Sequence, residues 1–182
     1  MNISPEDQTL LLDIARRSIA ATATKKPLPE LPHETSFELQ CGMGAFVTIR
    51  GLKGELRGCI GNVVAHSPLI ETVREMAIAA ASRDTRFAPI SAAEVAGLKV
   101  EVSVLSPLEE LKPEKVIVGK HGLIVRRGPN SGLLLPQVAT ENRMGREQFL
   151  AETCRKAGLP PDAWKVPATT IYGFSAQVFG DG

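Results

Sequence analysis

The residue types with the most chemical potential in this chain stand together in one hexapeptide, Leu56-Arg57-Gly58-Cys59-Ile60-Gly61. In a strand, successive side chains point to opposite faces, so Arg57 and Cys59 would share one face, about 7 Å apart along the strand. A neighbouring cation favours the thiolate, which is the nucleophilic form of a cysteine. If that face is open to a cleft, the pair predicts anion binding or nucleophilic chemistry at Cys59.

The alternative interpretation of the hexapeptide is structural. Gly58 and Gly61 remove side chains where a ligand or another backbone can approach closely. If a helix covers the face of Arg57 and Cys59, the cysteine is a small buried hydrophobic residue and the arginine extends to a carboxylate or a carbonyl group. Free cysteines are among the most buried residue types, which favours this interpretation, although the sequence alone leaves both open.

Three charged residues elsewhere are candidates for binding at the same site. Arg83 and Arg86 stand in a short segment dense in charge, where either could hold an anion or form an ordinary pair with Asp84 at a solvated helix end. Glu101 lies on an alternating segment and either faces solvent or pairs with an arginine of a neighbouring strand. A binding set of Arg57, Gly58, Gly61, Arg83, Arg86 and Glu101 is therefore predicted.

A base for Cys59 would have to be a histidine, and His66 and His121 are the candidates. His121 stands between glycines and is also a typical turn residue, so both roles stay open. The chain has no Cys-x-x-Cys or His-x-x-x-His pair, so no metal site is predicted. It also lacks a Gly-Lys-Ser/Thr phosphate loop and a complete dinucleotide-binding glycine motif, so no cofactor can be named.

Hydrophobic spacing predicts the elements that would position these residues. The hexapeptide falls in a hairpin of Ala45–Arg50 with Glu55–Gly61, and the helix that begins at Ser67-Pro68 follows it closely. We therefore expect the amino-terminal end of that helix to lie beside Cys59 and to favour negative charge there. The other predicted helices are 5–23, a short one from Ser91, Pro136–Glu141 and Gly145–Ala157 with Cys154 inward; the other predicted strands are Phe37–Leu39, Leu98–Leu105, Val116–Val118, Leu123–Arg126, Leu133–Leu135 and Thr169–Phe179.

Composition restricts the class of protein. The 182 residues, 43% of them hydrophobic, suffice for a single domain covering 1–182. The net charge of +1 gives no electrostatic case for nucleic acid or an anionic membrane, and no apolar run is long enough to span a bilayer. An odd set of widely spaced cysteines and the lack of a visible secretory signal predict the reducing cytoplasm.

Several motifs taken in order resemble one known family, the AMMECR domain. Besides the hexapeptide, which looks like the signature of that family, they are Gly44-Ala45-Phe46-Val47-Thr48, Arg83-Asp84-Thr85-Arg86-Phe87-Ala88-Pro89, Val100-Glu101-Val102-Ser103-Val104-Leu105, Gly119-Lys120-His121-Gly122-Leu123, Leu135-Pro136-Gln137-Val138-Ala139 and Lys156-Ala157-Gly158-Leu159. The resemblance covers the chain from about Leu39 to Phe179. It implies an α+β fold, largely antiparallel sheet flanked by helices, in two unequal lobes with the hexapeptide near a groove between them.

The resemblance supplies no reaction, so two functions are carried forward. The first is an enzyme or enzyme component that acts on an anionic small molecule at the Leu-Arg-Gly-Cys-Ile-Gly groove. The second is a non-catalytic partner, because the prokaryotic form, often called AmmeMemoRadiSam system protein A, is encoded beside a radical SAM protein and a Memo-like protein. A third expectation is nucleic-acid binding through Lys120, Arg126 and Arg127, and the near-neutral charge and few aromatic residues for base stacking count against it.

Overall fold

The computed structural model describes residues 2–64 and 66–181, which form two compact units. The first unit is Met1–Leu105 with Gln177–Gly182, and the second is Ser106–Ala176. In chain order the elements are α1 (Pro5–Thr24), α2 (Phe37–Gln40), β1 (Ala45–Arg50), β2 (Leu56–Asn62), α3 (Leu69–Ser82), β3 (Lys99–Leu105), β4 (Glu109–Glu110), β5 (Gly122–Arg127), β6 (Asn130–Leu134), α4 (Pro136–Glu141), α5 (Arg146–Lys156), β7 (Thr170–Phe174) and β8 (Ala176–Gly180).

The first unit is built on a four-stranded sheet in the order β2-β1-β3-β8. Antiparallel pairing joins β1 to β2 and β1 to β3, so the predicted hairpin is confirmed. One face of the sheet carries the aliphatic residues of β1 and β3 and packs against α1 and α3. The alanines of α3 are small enough for the helix to approach the strands closely.

The second unit has a sheet of its own, in the order β4-β7-β5-β6 and with antiparallel pairs throughout. Helix α5 packs on it through Phe149, Leu150 and Cys154, which are fully buried. Gly158 ends this helix region with a φ of 72°, as expected of a glycine after a helix C-terminus. Two antiparallel sheets with flanking helices confirm the predicted α+β class.

Three predicted strands differ from the structure. Residues Phe37–Gln40 form a single helical turn, because the Ser36 hydroxyl accepts the N–H of Leu39 and caps it. Val116–Val118 is not a strand and lies between a 3₁₀ turn and the turn at Gly119. The predicted strand Thr169–Phe179 is two strands, β7 and β8, which belong to different sheets and are separated at Ser175.

Candidate functional site

Cys59 lies on the side of the first sheet that α1 and α3 do not cover. Its neighbour Gly58 faces α3 so closely that a Cβ there would lie 2.2 Å from the carbonyl oxygen of Ala80. Because side chains alternate along a strand, Cys59 points the other way, and its side chain is half-buried. We call this side, which carries Thr48, Cys59 and Glu101, the Cys59 face.

Both main-chain polar groups of Cys59, the N–H and the carbonyl oxygen, are bound by side chains of a short segment after α3. The Asp84 carboxylate accepts the N–H of Cys59 at 2.9 Å, and the Arg86 guanidinium donates to the Cys59 carbonyl oxygen at 3.2 Å. Arg86 also donates to both carboxylate oxygens of Asp84. Since β2 is an edge strand, this pair satisfies main-chain groups that would otherwise be open to another chain.

The sulfur atom of Cys59 has a hydroxyl neighbour that sequence reasoning missed. Thr48 of β1 stands directly opposite Cys59 and donates from Oγ1 to Sγ at 3.2 Å. The main-chain groups of Cys59 point away from β1, so the two residues form a non-hydrogen-bonded pair, in which side chains come closest. On its other side Thr48 is opposite Glu101, so the three residues form one row across three strands.

Within the described residues, Arg57 makes its hydrogen bonds to groups other than Cys59. Its Nε donates to the Glu94 carboxylate at 2.8 Å, and its Nη2 lies 2.7 Å from the same oxygen. Nη2 also donates to the Ala88 carbonyl at 3.4 Å. The ladder shifts register between Ile49 and Arg50, which leaves Arg57 opposite no residue of β1. The extension to a carboxylate and a carbonyl is the alternative that the sequence had left open.

Two carboxylates of this region stay ionised at neutral pH. The hydrogen bond from the Arg86 guanidinium holds the pKa of Asp84 well below its ordinary value, against an opposing effect of burial. The backbone N–H and hydroxyl of Ser91, followed by the side chain of Arg57, lower the pKa of Glu94 to about 2. Each arginine therefore has a carboxylate that neutralises its charge, which weakens the case for an anion held by Arg57 or Arg86 beside the thiol.

The expected position of the helix terminus is wrong. The N–H of Leu69, at the start of α3, donates to the carbonyl of Cys41, and it is the last turn of α3, at Ala80, that packs on Gly58. The helix therefore presents its carboxyl-terminal end to the Cys59 strand. The helix dipole gives no support to an anion there.

Comparison with known proteins identifies the family. The sequence model of the AMMECR1 family matches residues 12–179. The chain belongs to the AMMECR1 family. It is 43% identical to Protein TK0174 of Thermococcus kodakarensis, with 97% of this chain and 91% of that protein covered. A protein of Methanothermobacter thermautotrophicus is 44% identical, with 97% and 95% covered. The crystal structure of the uncharacterized protein PH0010 from Pyrococcus horikoshii superposes with a TM-score of 0.88 at 43% identity, covering 98% of this chain and 93% of that one.

The two histidines proposed as bases in this AMMECR1 protein, His66 and His121, lie in different units. His66 is exposed in the connection between β2 and α3, and no hydrogen bond within the described ranges joins it to Cys59. His121 belongs to the second unit, where its Nδ1 accepts the N–H of Ile117 at 3.2 Å. A neutral imidazole that accepts at Nδ1 carries its proton on Nε2, so this geometry favours a hydrogen-bond donor over a general base. Burial, together with the charge of Lys120, lowers the pKa of His121 and keeps the ring neutral.

The remaining candidate residues differ in exposure and in contacts. Arg83 is exposed at the end of α3. Glu101 is half-buried, and its carboxylate has no hydrogen-bond partner in the part of the chain that the structure describes. A Cβ at Gly61 would lie 2.2 Å from the Phe46 ring, so this glycine serves packing. Cys154 is fully buried, and burial raises the pKa of its thiol.

Clusters of metal-ligating side chains and membrane-spanning helices are both missing from the described residues. Across residues 2–64 and 66–181, no three His, Cys, Asp or Glu side chains come together as a metal site would need. Within the same ranges no helix combines the length and apolar character that crossing a bilayer requires.

Proposed function

We propose that this AMMECR1 protein is an enzyme, or a component of one, that uses the Cys59 thiol on a small molecule bound at the Cys59 face. The observation that carries the proposal is the side from which Cys59 projects. The sulfur lies away from the covering helices, and the carboxylate and guanidinium of Asp84 and Arg86 fix the main chain behind it. A fixed backbone with a half-buried thiol is the preorganisation that nucleophilic catalysis needs.

The charges around Cys59 argue against an anionic character for that small molecule. The guanidinium groups of Arg57 and Arg86 each pair with a protein carboxylate, and Glu101 adds a negative charge to the same row as Cys59. Thr48 is the neighbour best placed to assist, because its hydroxyl donates to the Cys59 sulfur and so fixes the position of that atom. We therefore assign Cys59 the reacting role and Thr48 a positioning role. Three free cysteines also favour the cytoplasm as the compartment of this reaction.

The test is a comparison of cell extracts treated with the wild-type protein and with Cys59→Ala and Cys59→Ser. Mass spectrometry would follow small molecules that are consumed or formed. We expect at least one change with the wild-type protein that is absent with both Cys59 variants and retained by the control Cys41→Ala. Identical changes with all four proteins, or none with the wild-type protein, would contradict the proposed role of the thiol.

A second function, as a non-catalytic partner of a radical SAM protein and a Memo-like protein, is favoured by a different observation. Most polar and glycine positions of the hexapeptide make internal contacts: Arg57 with Glu94, Gly58 with Ala80 and Gly61 with Phe46. A motif that builds the fold needs no reaction of its own. Co-purification of the three proteins, equally strong with Cys59→Ala as with the wild-type chain, would support this function over the enzymatic one.

A further inference from the structure

A cavity lies at the turn that joins β1 to β2, away from the Cys59 sulfur. Its volume is about 400 Å³, within the range of small-molecule sites. The charged lining comprises Lys53, Glu55, Arg57 and Glu94, and the apolar lining includes Leu52 and Leu98. We call it the hairpin cavity. Cys59 is not among the residues that line it, so the cavity is independent of the function proposed above.

The hydrogen-bonding capacity of one lining carboxylate is already used. One oxygen of Glu94 receives Nε and Nη2 of Arg57, and the other receives the N–H and the hydroxyl of Ser91 at 2.9 and 2.7 Å. A carboxylate has about four lone-pair positions, so Glu94 has none to spare for a ligand. It acts as a fixed support that aims the Arg57 guanidinium.

Both lining cations have donors left over. A guanidinium has five N–H groups, and within the described ranges the two on Nη1 of Arg57 have no acceptor. The ammonium group of Lys53 likewise has no side-chain partner in the described part of the chain. Arg57 keeps only 19% of its side chain exposed, so water can satisfy its spare donors less well than those of a surface arginine.

One lining carboxylate has capacity left. Glu55 accepts a single hydrogen bond, from the backbone N–H of Lys53 at 3.1 Å, and is exposed. The side chain of Leu52 forms an aliphatic wall beside it. This side chain packs closely on Gly97, since a Cβ added to that glycine would lie 2.7 Å from the leucine Cγ. Leu52 itself is 79% exposed, so a ligand in the cavity would cover apolar surface that now faces water.

We propose that the hairpin cavity binds a small zwitterion of the aliphatic α-amino acid class. Its carboxylate accepts from Nη1 of Arg57 and from Lys53, its ammonium donates to Glu55, and its side chain packs on Leu52 and Leu98. This ligand matches the spare donors, the spare acceptor and the apolar wall together. A simple anion would leave Glu55 as a repulsive neighbour, and a simple cation would do the same for Arg57 and Lys53.

The test is a titration of the ¹⁵N-labelled full chain, followed by amide chemical shifts in two-dimensional NMR. The probes are leucine, 4-methylpentanoate, which lacks the ammonium group, and 3-methylbutylamine, which lacks the carboxylate. We expect saturable shifts confined to the turn 51–55 and to 93–98. Leucine should bind at least about 10-fold more tightly than 3-methylbutylamine, because that amine loses the charge-assisted hydrogen bonds to the half-buried Arg57 and to Lys53. It should bind about 2- to 5-fold more tightly than 4-methylpentanoate, which loses only the contact with the exposed Glu55. Absence of saturation with leucine, or equal affinity of one analogue, would overturn the proposal.

Matched variants test the residues named. Lys53→Gln and Leu52→Ala change exposed side chains of the turn and are expected to weaken leucine binding about 2- to 5-fold each, the effect of a single exposed charge or a partly covered leucine. Arg57→Lys keeps the positive charge but removes Nη1, and a loss of about 10-fold or more is expected. The controls Lys26→Gln and Leu28→Ala, also at exposed positions, should leave the affinity unchanged. Equal affinities in all five variants would reject the assignment.

Discussion

Substitution of Gly58 by alanine tests how closely α3 packs on the strand that carries the thiol. An added Cβ would lie 2.2 Å from the carbonyl oxygen of Ala80 and 3.1 Å from its carbonyl carbon, and both atoms belong to the helix backbone. Because no side chain can rotate away, the helix or the strand must move by about 0.8 Å to restore a contact of 3.0 Å. The same movement would disturb Asp84 and its hold on Cys59.

The expected net loss is about 1–3 kcal/mol in the free energy of unfolding. Extra volume in a well-packed core costs about 1–3 kcal/mol, and the upper part of the range applies because the clash involves backbone. Alanine restricts the unfolded chain more than glycine and returns at most about 1 kcal/mol of this cost. The matched control is Gly145→Ser, which adds a Cβ where no atom lies within 4 Å and places a preferred residue at the N-cap of α5.

Urea unfolding followed by circular dichroism at about 222 nm is the appropriate assay. The two longest helices, α1 and α3, both belong to the first unit, so the signal reports mainly on that unit. Fluorescence would report elsewhere, since the single tryptophan and tyrosine, Trp164 and Tyr172, both belong to the second unit. A free energy for Gly58→Ala within about 0.5 kcal/mol of the wild-type value would refute the close helix–strand contact, because that is the range of an ordinary surface substitution.

Two further predictions concern the groups around Cys59. Asp84 has a pKa lowered in the folded chain, so its ionised form stabilises the fold above the pKa of the unfolded carboxyl, about 3.9, and this contribution is lost as the pH falls below that value. Asp84→Asn should thus be about 2 kcal/mol less stable than the wild type at pH 7 and closer to it at pH 3 in urea titrations; an equal difference at both pH values would contradict the ionised pair. Thr48→Val removes the hydroxyl donor to sulfur and should slow alkylation of Cys59 by iodoacetamide about 5-fold, whereas Thr9→Val should not; an unchanged rate would show that the contact is unimportant.

Local patterns were sufficient for the elements that hold the site. Hydrophobic spacing predicted the hairpin of Ala45–Arg50 with Glu55–Gly61, and the Ser67-Pro68 start predicted the helix that the structure shows as α3. The family resemblance, read from the same motifs, was equally sound because the matched segments span most of the chain. These features depend on neighbours in sequence, which is why sequence could show them.

The relations between elements were beyond local patterns. A bulge near Arg50 shifts the register so that Thr48 lies opposite Cys59. No residue type in the turn indicates that shift. The direction in which α3 crosses β2 decides which helix end approaches the thiol, and it is set by tertiary packing. The segment Thr169–Phe179 has one continuous strand pattern, although the chain passes from one sheet to the other at Ser175. The alternation of side chains is the same in either sheet, so it cannot show which sheet a strand joins.

Stoichiometric alkylation of the folded Cys41→Ser chain tests most directly whether the Cys59 sulfur is available for chemistry. Only Cys59 and the fully buried Cys154 would then remain, and peptide mapping by mass spectrometry distinguishes them. Iodoacetamide is expected to modify Cys59 in the absence of denaturant and Cys154 only after unfolding in urea. Modification of Cys59 solely in urea, together with Cys154, would show that the thiol is closed off in the folded protein and would contradict the proposed chemistry.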